Sequence, residues 1–118
     1  MYEALGGEST FTRLVDRFYE GVETDPILRP MYPEDLAPSK RHLTLFLIQY
    51  FGGPRTYLDE RGHPRLRMRH LPFAIDQGAR DAWLRQMAAA VRETGLPPLA
   101  QGEFMRYFEG AATFLLNR

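Results

Sequence analysis

Arg65-Leu66-Arg67-Met68-Arg69-His70-Leu71-Pro72-Phe73 is the stretch from which the fold is read. Its spacing predicts a short helical turn: Leu66 and His70 are four residues apart and share a face, while Arg65, Arg67 and Arg69 can point elsewhere. Pro72 stops the turn, because its ring removes an N–H donor and restricts the residue before it. The result is one imidazole near the end of a turn, with cationic groups around it. A packed core histidine beside a solvated arginine face has the same sequence. The sharper reading is a site for a group that is apolar in the middle and anionic at one edge. Haem has that shape, with an iron that takes a histidine nitrogen, a hydrophobic macrocycle and two propionates.

At 118 residues the chain is the size of a single domain, here taken as residues 1–118, and is large enough for one core. Aromatic residues make up 13% of it, with Phe 8, Tyr 6 and Trp 1, more ring surface than a minimal helical bundle needs. Such an excess suits a domain that wraps a flat apolar group, and also a dense core. Fifteen basic and fifteen acidic residues give a formal net charge of +0, which argues against a general nucleic-acid binder. The absence of cysteine excludes disulfides, thiolate metal sites and a thioether-linked cofactor. No apolar run approaches a membrane span and no signal-like stretch opens the chain, so a cytoplasmic protein is expected.

Working outward, the apolar spacing is helical throughout, which predicts an all-α fold. Tyr2 to Leu5 reads as a turn closed by Gly6-Gly7. Ser9 reads as the N-cap of a helix with Phe11, Leu14, Val15, Phe18, Tyr19 and Val22 on one face. Asp25-Pro26 opens a tight turn that leads to an extended Met31-Tyr32-Pro33. Asp35 can cap the next helix, which places Ser39, Leu43, Phe46, Leu47 and Tyr50 on one side and ends at Phe51-Gly52-Gly53-Pro54. Residues 55–64 read as a long polar loop that delivers His70. Asp76 caps a helix carrying Ala79, Trp83, Met87 and Val91, and the last helix presents Phe104, Met105, Phe108, Ala111, Ala112 and Leu115. Four long helices plus short ones are expected.

Several stretches, taken together and in order, carry a resemblance. They are Gly6-Gly7, Arg17-Phe18-Tyr19, Met31-Tyr32-Pro33, the run from Gln49 to Tyr57, the run from Arg61 to His70, and Arg80-Asp81-Ala82-Trp83-Leu84. In these the chain resembles the group II truncated haemoglobins, the two-over-two globins of bacteria and plants. The resemblance implies a two-over-two helical sandwich around haem b (iron protoporphyrin IX), with His70 as the iron ligand. It implies that Tyr19, Tyr32 and Trp83 are the polar residues around bound ligand, with Leu43 over the iron and Ser39 one turn earlier. Tyr57 and Arg69 fall at positions that reach the propionates, joined by one of Lys40, Arg41 or His42, while Phe46 and Phe73 complete the cofactor contacts. The linker after Tyr32 is one residue shorter than the family's, and Phe51 stands where tryptophan is frequent.

The distal inference also has a basis in the residues alone. Tyr19 shares its helix face with Val15 and Val22, and a buried phenol needs a partner. Tyr32 and Trp83 add two interior donors, and the sequence offers no obvious buried carboxylate to receive them. A negatively polarised diatomic ligand would serve as the acceptor. Three functions compete: reversible binding of O2, CO or NO for storage or transport, a redox enzyme on the same haem (nitric oxide dioxygenase or peroxidase-like, with a reductase partner), and a cofactor-free helical module using Arg61 to Arg69. The first is expected, in a monomer or homodimer, with His42 and His63 not ligating iron.

Overall fold

The computed structural model describes residues 2–62, 65, 70 and 73–117. These form α1 (Gly7–Thr24), a 3-10 turn (Arg29–Met31), α2 (Ala37–Tyr50), α3 (Thr56–Arg61), α4 (Gln77–Arg92) and α5 (Pro98–Phe114), with no strand among them. Helix α1 packs on α2 and on α4, and α4 packs on α5. Two helix pairs are thus laid against each other, as the two-over-two resemblance implies.

All six of the predicted inward residues of α1 are buried: Phe11, Leu14, Val15, Phe18, Tyr19 and Val22. Its start differs from the expected Ser9 cap. The helix begins three residues earlier, after Gly6 in the left-handed region at φ 102°. That conformation reverses the Tyr2–Leu5 turn into the helix and suits glycine, since any Cβ at Gly6 would also strike the Thr10 side chain. Ser9 lies inside the first turn with its hydroxyl near the Gly6 carbonyl. Asp76 caps α4 as expected, accepting from the Ala79 N–H at 2.8 Å. Asp35 lies one residue ahead of the Leu36 cap of α2 and accepts from the Ala37 N–H at 3.0 Å.

Two expectations fail for one reason. Residues 56–61 are helical where a polar loop was expected, because Tyr57 buries to 4% exposure and the Leu58 N–H finds the Gln49 side-chain oxygen at 2.9 Å. Composition could not anticipate a helix held by tertiary contacts instead of propensity. Tyr50, expected inward, is 55% exposed and lies against Tyr107 of α5 with ring centroids 4.1 Å apart.

The core is a run of rings. Phe51 meets Phe104 at 4.7 Å between centroids, Phe104 meets Phe108 at 6.1 Å, Phe108 meets Trp83 at 5.6 Å, and Trp83 meets Phe18 at 5.3 Å. Phe51 thus does at the end of α2 what a larger ring would do, filling the space beside Phe104. Phe11 lies at the centre, wholly buried and packed on Tyr2, Phe51 and Phe104. Phe11→Ala should cost about 3–5 kcal/mol, through lost transfer energy and an unfilled cavity. Denaturant unfolding followed by circular dichroism measures it, and a loss near the value for an exposed site would contradict the central position of this ring.

Candidate functional site

A cavity of about 390 Å³ opens between the helix pairs, within the size range of small-molecule and cofactor sites. Its walls are mainly apolar, from Leu28, Met31, Leu43, Phe46, Leu47, Ile75, Phe108, Ala112 and Leu115. Among these stand Tyr19, Tyr32, Ser39, His42, Tyr57, Arg61, His70, Arg80 and Trp83. The structure therefore gathers into one cavity residues that sequence separates by as much as 96 positions, from Tyr19 to Leu115.

The polar side is a small network. Tyr19 enters from α1 and is 3% exposed, Tyr32 follows the 3-10 turn in extended conformation, and Trp83 comes from the middle of α4. The two phenol rings meet edge to face at 5.6 Å. Trp83 and Tyr19 act on the Tyr32 phenol as polar neighbours, and Ser39 and Tyr32 act in the same way on Tyr19. The three donors therefore form one polar cluster on the cavity wall. A buried carboxylate also exists, against expectation: Asp25 is 7% exposed. It does not serve the tyrosines, because its oxygens accept from the Ile27 and Leu28 N–H groups at 2.9 and 3.2 Å and from Gln86 Nε2 at 2.9 Å.

Of the three candidates for a basic contact from α2, His42 is the one lining the cavity. Arg41 is turned to Glu60 at 2.6 Å, and Lys40 lies 4.0 Å from Asp16. His42 Nδ1 is hydrogen-bonded to the Arg61 guanidinium, which also stands over the Tyr57 ring at 5.9 Å from its centroid. Arg61 had been assigned only to a polar loop; its place follows from the unexpected helix α3, which turns it onto Tyr57. Arg69 and His63 lie outside the described residues.

The His70 segment is held by a residue that sequence reasoning missed. Asn117 Nδ2 donates to the carbonyls of Phe73 at 2.9 Å and His70 at 3.4 Å, while its Oδ1 accepts from the Ile75 N–H at 2.8 Å and its own N–H donates to the Ile75 carbonyl at 3.0 Å. A polar residue after the last apolar helix carries no sequence signal for such a contact. The Phe73 ring lies 6.5 Å from that of His70, at the cavity wall.

Among the described residues no three His, Cys, Asp or Glu side chains are grouped to hold a metal ion. A metal held through His70 would bring its other ligands with it, as a porphyrin does. Apolar walls, the His70 imidazole and the Arg61 guanidinium beside His42 and Tyr57 fit that group.

The bacterial-like globin family matches residues 1–117. The chain belongs to this family. This globin shares 46% identity over 109 residues with the group 2 truncated hemoglobin of Bacillus subtilis, spanning 92% of this chain and 79% of the relative. Among solved structures, it resembles the hemoglobin of Chloroflexus aurantiacus with a TM-score of 0.97 and 57% identity, covering 99% of this chain and 97% of that one. The thermostable hemoglobin of Thermobifida fusca superposes with a TM-score of 0.96 at 56% identity, over 98% and 95% of the two chains. The truncated oxygen-avid haemoglobin of Bacillus subtilis gives 0.93 and 43%, over 98% of each chain. Membership of the family carries haem-based ligand binding with it. No helix among the described residues of this globin is long and apolar enough to cross a membrane.

Burial pushes the Tyr32 phenol up from its ordinary value near 10 to about 12, even though the donors Trp83 and Tyr19 pull the other way. Burial raises Tyr19 as well, with Tyr32 adding to the effect. Both phenols stay neutral and can donate at physiological pH. A folded-state value above the unfolded one means that this contribution to stability is complete below the unfolded value near 10 and is lost as pH rises through about 12. Unfolding free energy should therefore fall across that alkaline window. Tyr32→Phe should flatten the fall, and an identical pH slope in the variant would remove Tyr32 from the buried network.

Proposed function

We propose that this globin binds dioxygen and other diatomic gases reversibly on haem b. The observation that carries the reading is the placement of His70 and the Tyr19–Tyr32–Trp83 network on the walls of one apolar cavity. Haem would supply an iron able to take a histidine nitrogen and a small gas molecule. His70 is the residue for the iron. It needs a neutral imidazole, with one nitrogen free to ligate. His42, Arg61 and Tyr57 are placed to receive a propionate, and Arg41 and Lys40 are engaged elsewhere. Phe46, Leu43 and Phe73 supply apolar contacts for the macrocycle.

The distal residues act through one proton. With Trp83 and Tyr19 against the Tyr32 phenol, the Tyr32 O–H is the donor for whatever enters the cavity. A ligand that draws negative charge onto its outer atom is held by that bond, and one that stays nearly neutral gains little. Oxygen is of the first kind and carbon monoxide of the second. The term oxygen-avid, given to the Bacillus subtilis neighbour, agrees with a donor-rich cavity of this type.

Two outcomes test the reading. His70→Gly should lose the five-coordinate ferrous spectrum and regain it with added imidazole, which can occupy the space left by the side chain. An unchanged iron–histidine Raman band in that variant would place the ligand elsewhere.

Tyr32→Phe should speed oxygen release by roughly ten- to a hundredfold, since a hydrogen bond to a charged acceptor is worth about 1.5–3 kcal/mol and about 1.4 kcal/mol is tenfold in rate. Trp83→Phe should act in the same direction, with the double variant well short of additive because the groups share one network. Stopped-flow displacement of oxygen and of carbon monoxide separates the causes: equal acceleration of both gases means steric access, and the hydrogen-bond account then fails.

A further inference from the structure

We infer that Gln86 and Asp25 form a latch that sets the distance between Tyr32 and Trp83, and so makes them specificity-determining positioning residues for this cavity. The inference rests on the distal reading of Tyr32 and Trp83 given above. The two distal groups come from separate parts of the chain. Trp83 rides on α4, whereas Tyr32 sits in the short irregular segment after α1, where no long helix fixes it. That segment is ordered by side chains at both ends. Asp25 begins it, taking the Ile27 and Leu28 N–H groups on Oδ1 at 2.9 and 3.2 Å, while its carbonyl accepts from the Arg29 N–H at 2.9 Å. Arg29 closes it, its guanidinium donating to the carbonyls of Tyr32, Pro33 and Glu34 at 3.3, 3.1 and 3.0 Å. The segment therefore moves as one piece.

A single direct tie joins the start of that piece to α4 by side chains: Gln86 Nε2 donates to Asp25 Oδ2 at 2.9 Å. Gln86 is three residues after Trp83, one helical turn along the same face, so the tie lies beside the indole. Gly21 makes room for it. A Cβ on Gly21 would overlap Gln86 Oε1 and lie 2.7 Å from Cδ, so the amide can reach Asp25 only because α1 lacks a side chain there. Glycine inside a helix is otherwise less favourable than alanine. Its presence in the middle of α1, at a buried position, is accounted for by the crossing of Gln86. Asp25 is thus bonded on both oxygens, and releasing Gln86 leaves the Tyr32 segment attached to α1 but free to shift along α4.

The test breaks the latch from two sides without touching a residue that lines the cavity. Gln86→Leu removes the donor at similar size, and Gly21→Ala displaces the amide while improving local helix propensity. In the haem-loaded protein both should speed oxygen release by about three- to tenfold while moving carbon monoxide release less. Both should also shift the infrared C–O stretch of the carbon monoxide complex to higher frequency, the direction expected when a donor withdraws from the ligand. Tyr32→Phe is the reference. If Tyr32→Phe shifts rates and stretch while both latch variants stay at wild type, the latch is overturned and the distal reading stands. If Tyr32→Phe itself changes neither, the distal reading fails and takes the latch with it. A shift in Gly21→Ala despite an unchanged or raised melting temperature separates positioning from a general loss of stability.

Discussion

The contact of Trp83 with Phe18 on one side and Phe108 on the other is the constraint on which the rest of the structure depends. It fixes α4 between α1 and α5, the helices that carry most of the ring core and part of the cavity wall. The indole must lie edge-on to both phenylalanines, at 61° and 67°, and this orientation leads its N–H toward Tyr32. Packing and polarity are therefore set by one side chain. An indole can do both because most of its surface is apolar and its one donor lies at an edge.

The cavity follows from how the core ends. The rings from Phe51 through Phe104 and Phe108 to Trp83 fill the space between the helix pairs, and beyond Trp83 the apolar lining continues with smaller side chains such as Ala79, Ala111 and Ala112. Room opens where those residues replace rings. A buried polar group at such a margin is costly unless it is paired, and every buried side-chain N or O among the described residues has a partner. Within that set Tyr32 stands between Tyr19 and Trp83 on the cavity wall. A polar cluster on an apolar wall is well suited to discriminate among ligands by charge instead of size.

Membership of the bacterial-like globins joins this chain to proteins whose shared feature is haem-based ligand binding. The helical sandwich is the common part. In this chain polar side chains hold the irregular segments: Asp25 and Arg29 order the stretch bearing Tyr32, and Asn117 ties Phe73 and Ile75 to the end of α5. In both cases a polar side chain bonds backbone groups that no helix would satisfy.

Sequence by itself determined the long helices, because apolar residues three and four apart leave each helix one face to bury; α1 shows this, with every predicted inward residue at the core. It also singled out His70, Tyr19, Tyr32 and Trp83, since an imidazole, two phenols and an indole on apolar faces each need a partner that spacing alone cannot supply. Tertiary structure decided the rest. Helix α3 exists because Tyr57 is buried against Phe46, and it carries Arg61 to His42. Of Lys40, Arg41 and His42, tertiary structure brings only His42 to the cavity wall, with Arg41 paired to Glu60. Asp25, Gln86 and Asn117 are ordinary polar residues in the sequence, and their roles arise from partners 61 and up to 47 positions away. Periodicity is a local property of the chain, whereas the pairing of a buried donor with its acceptor depends on which segments the folded core brings together.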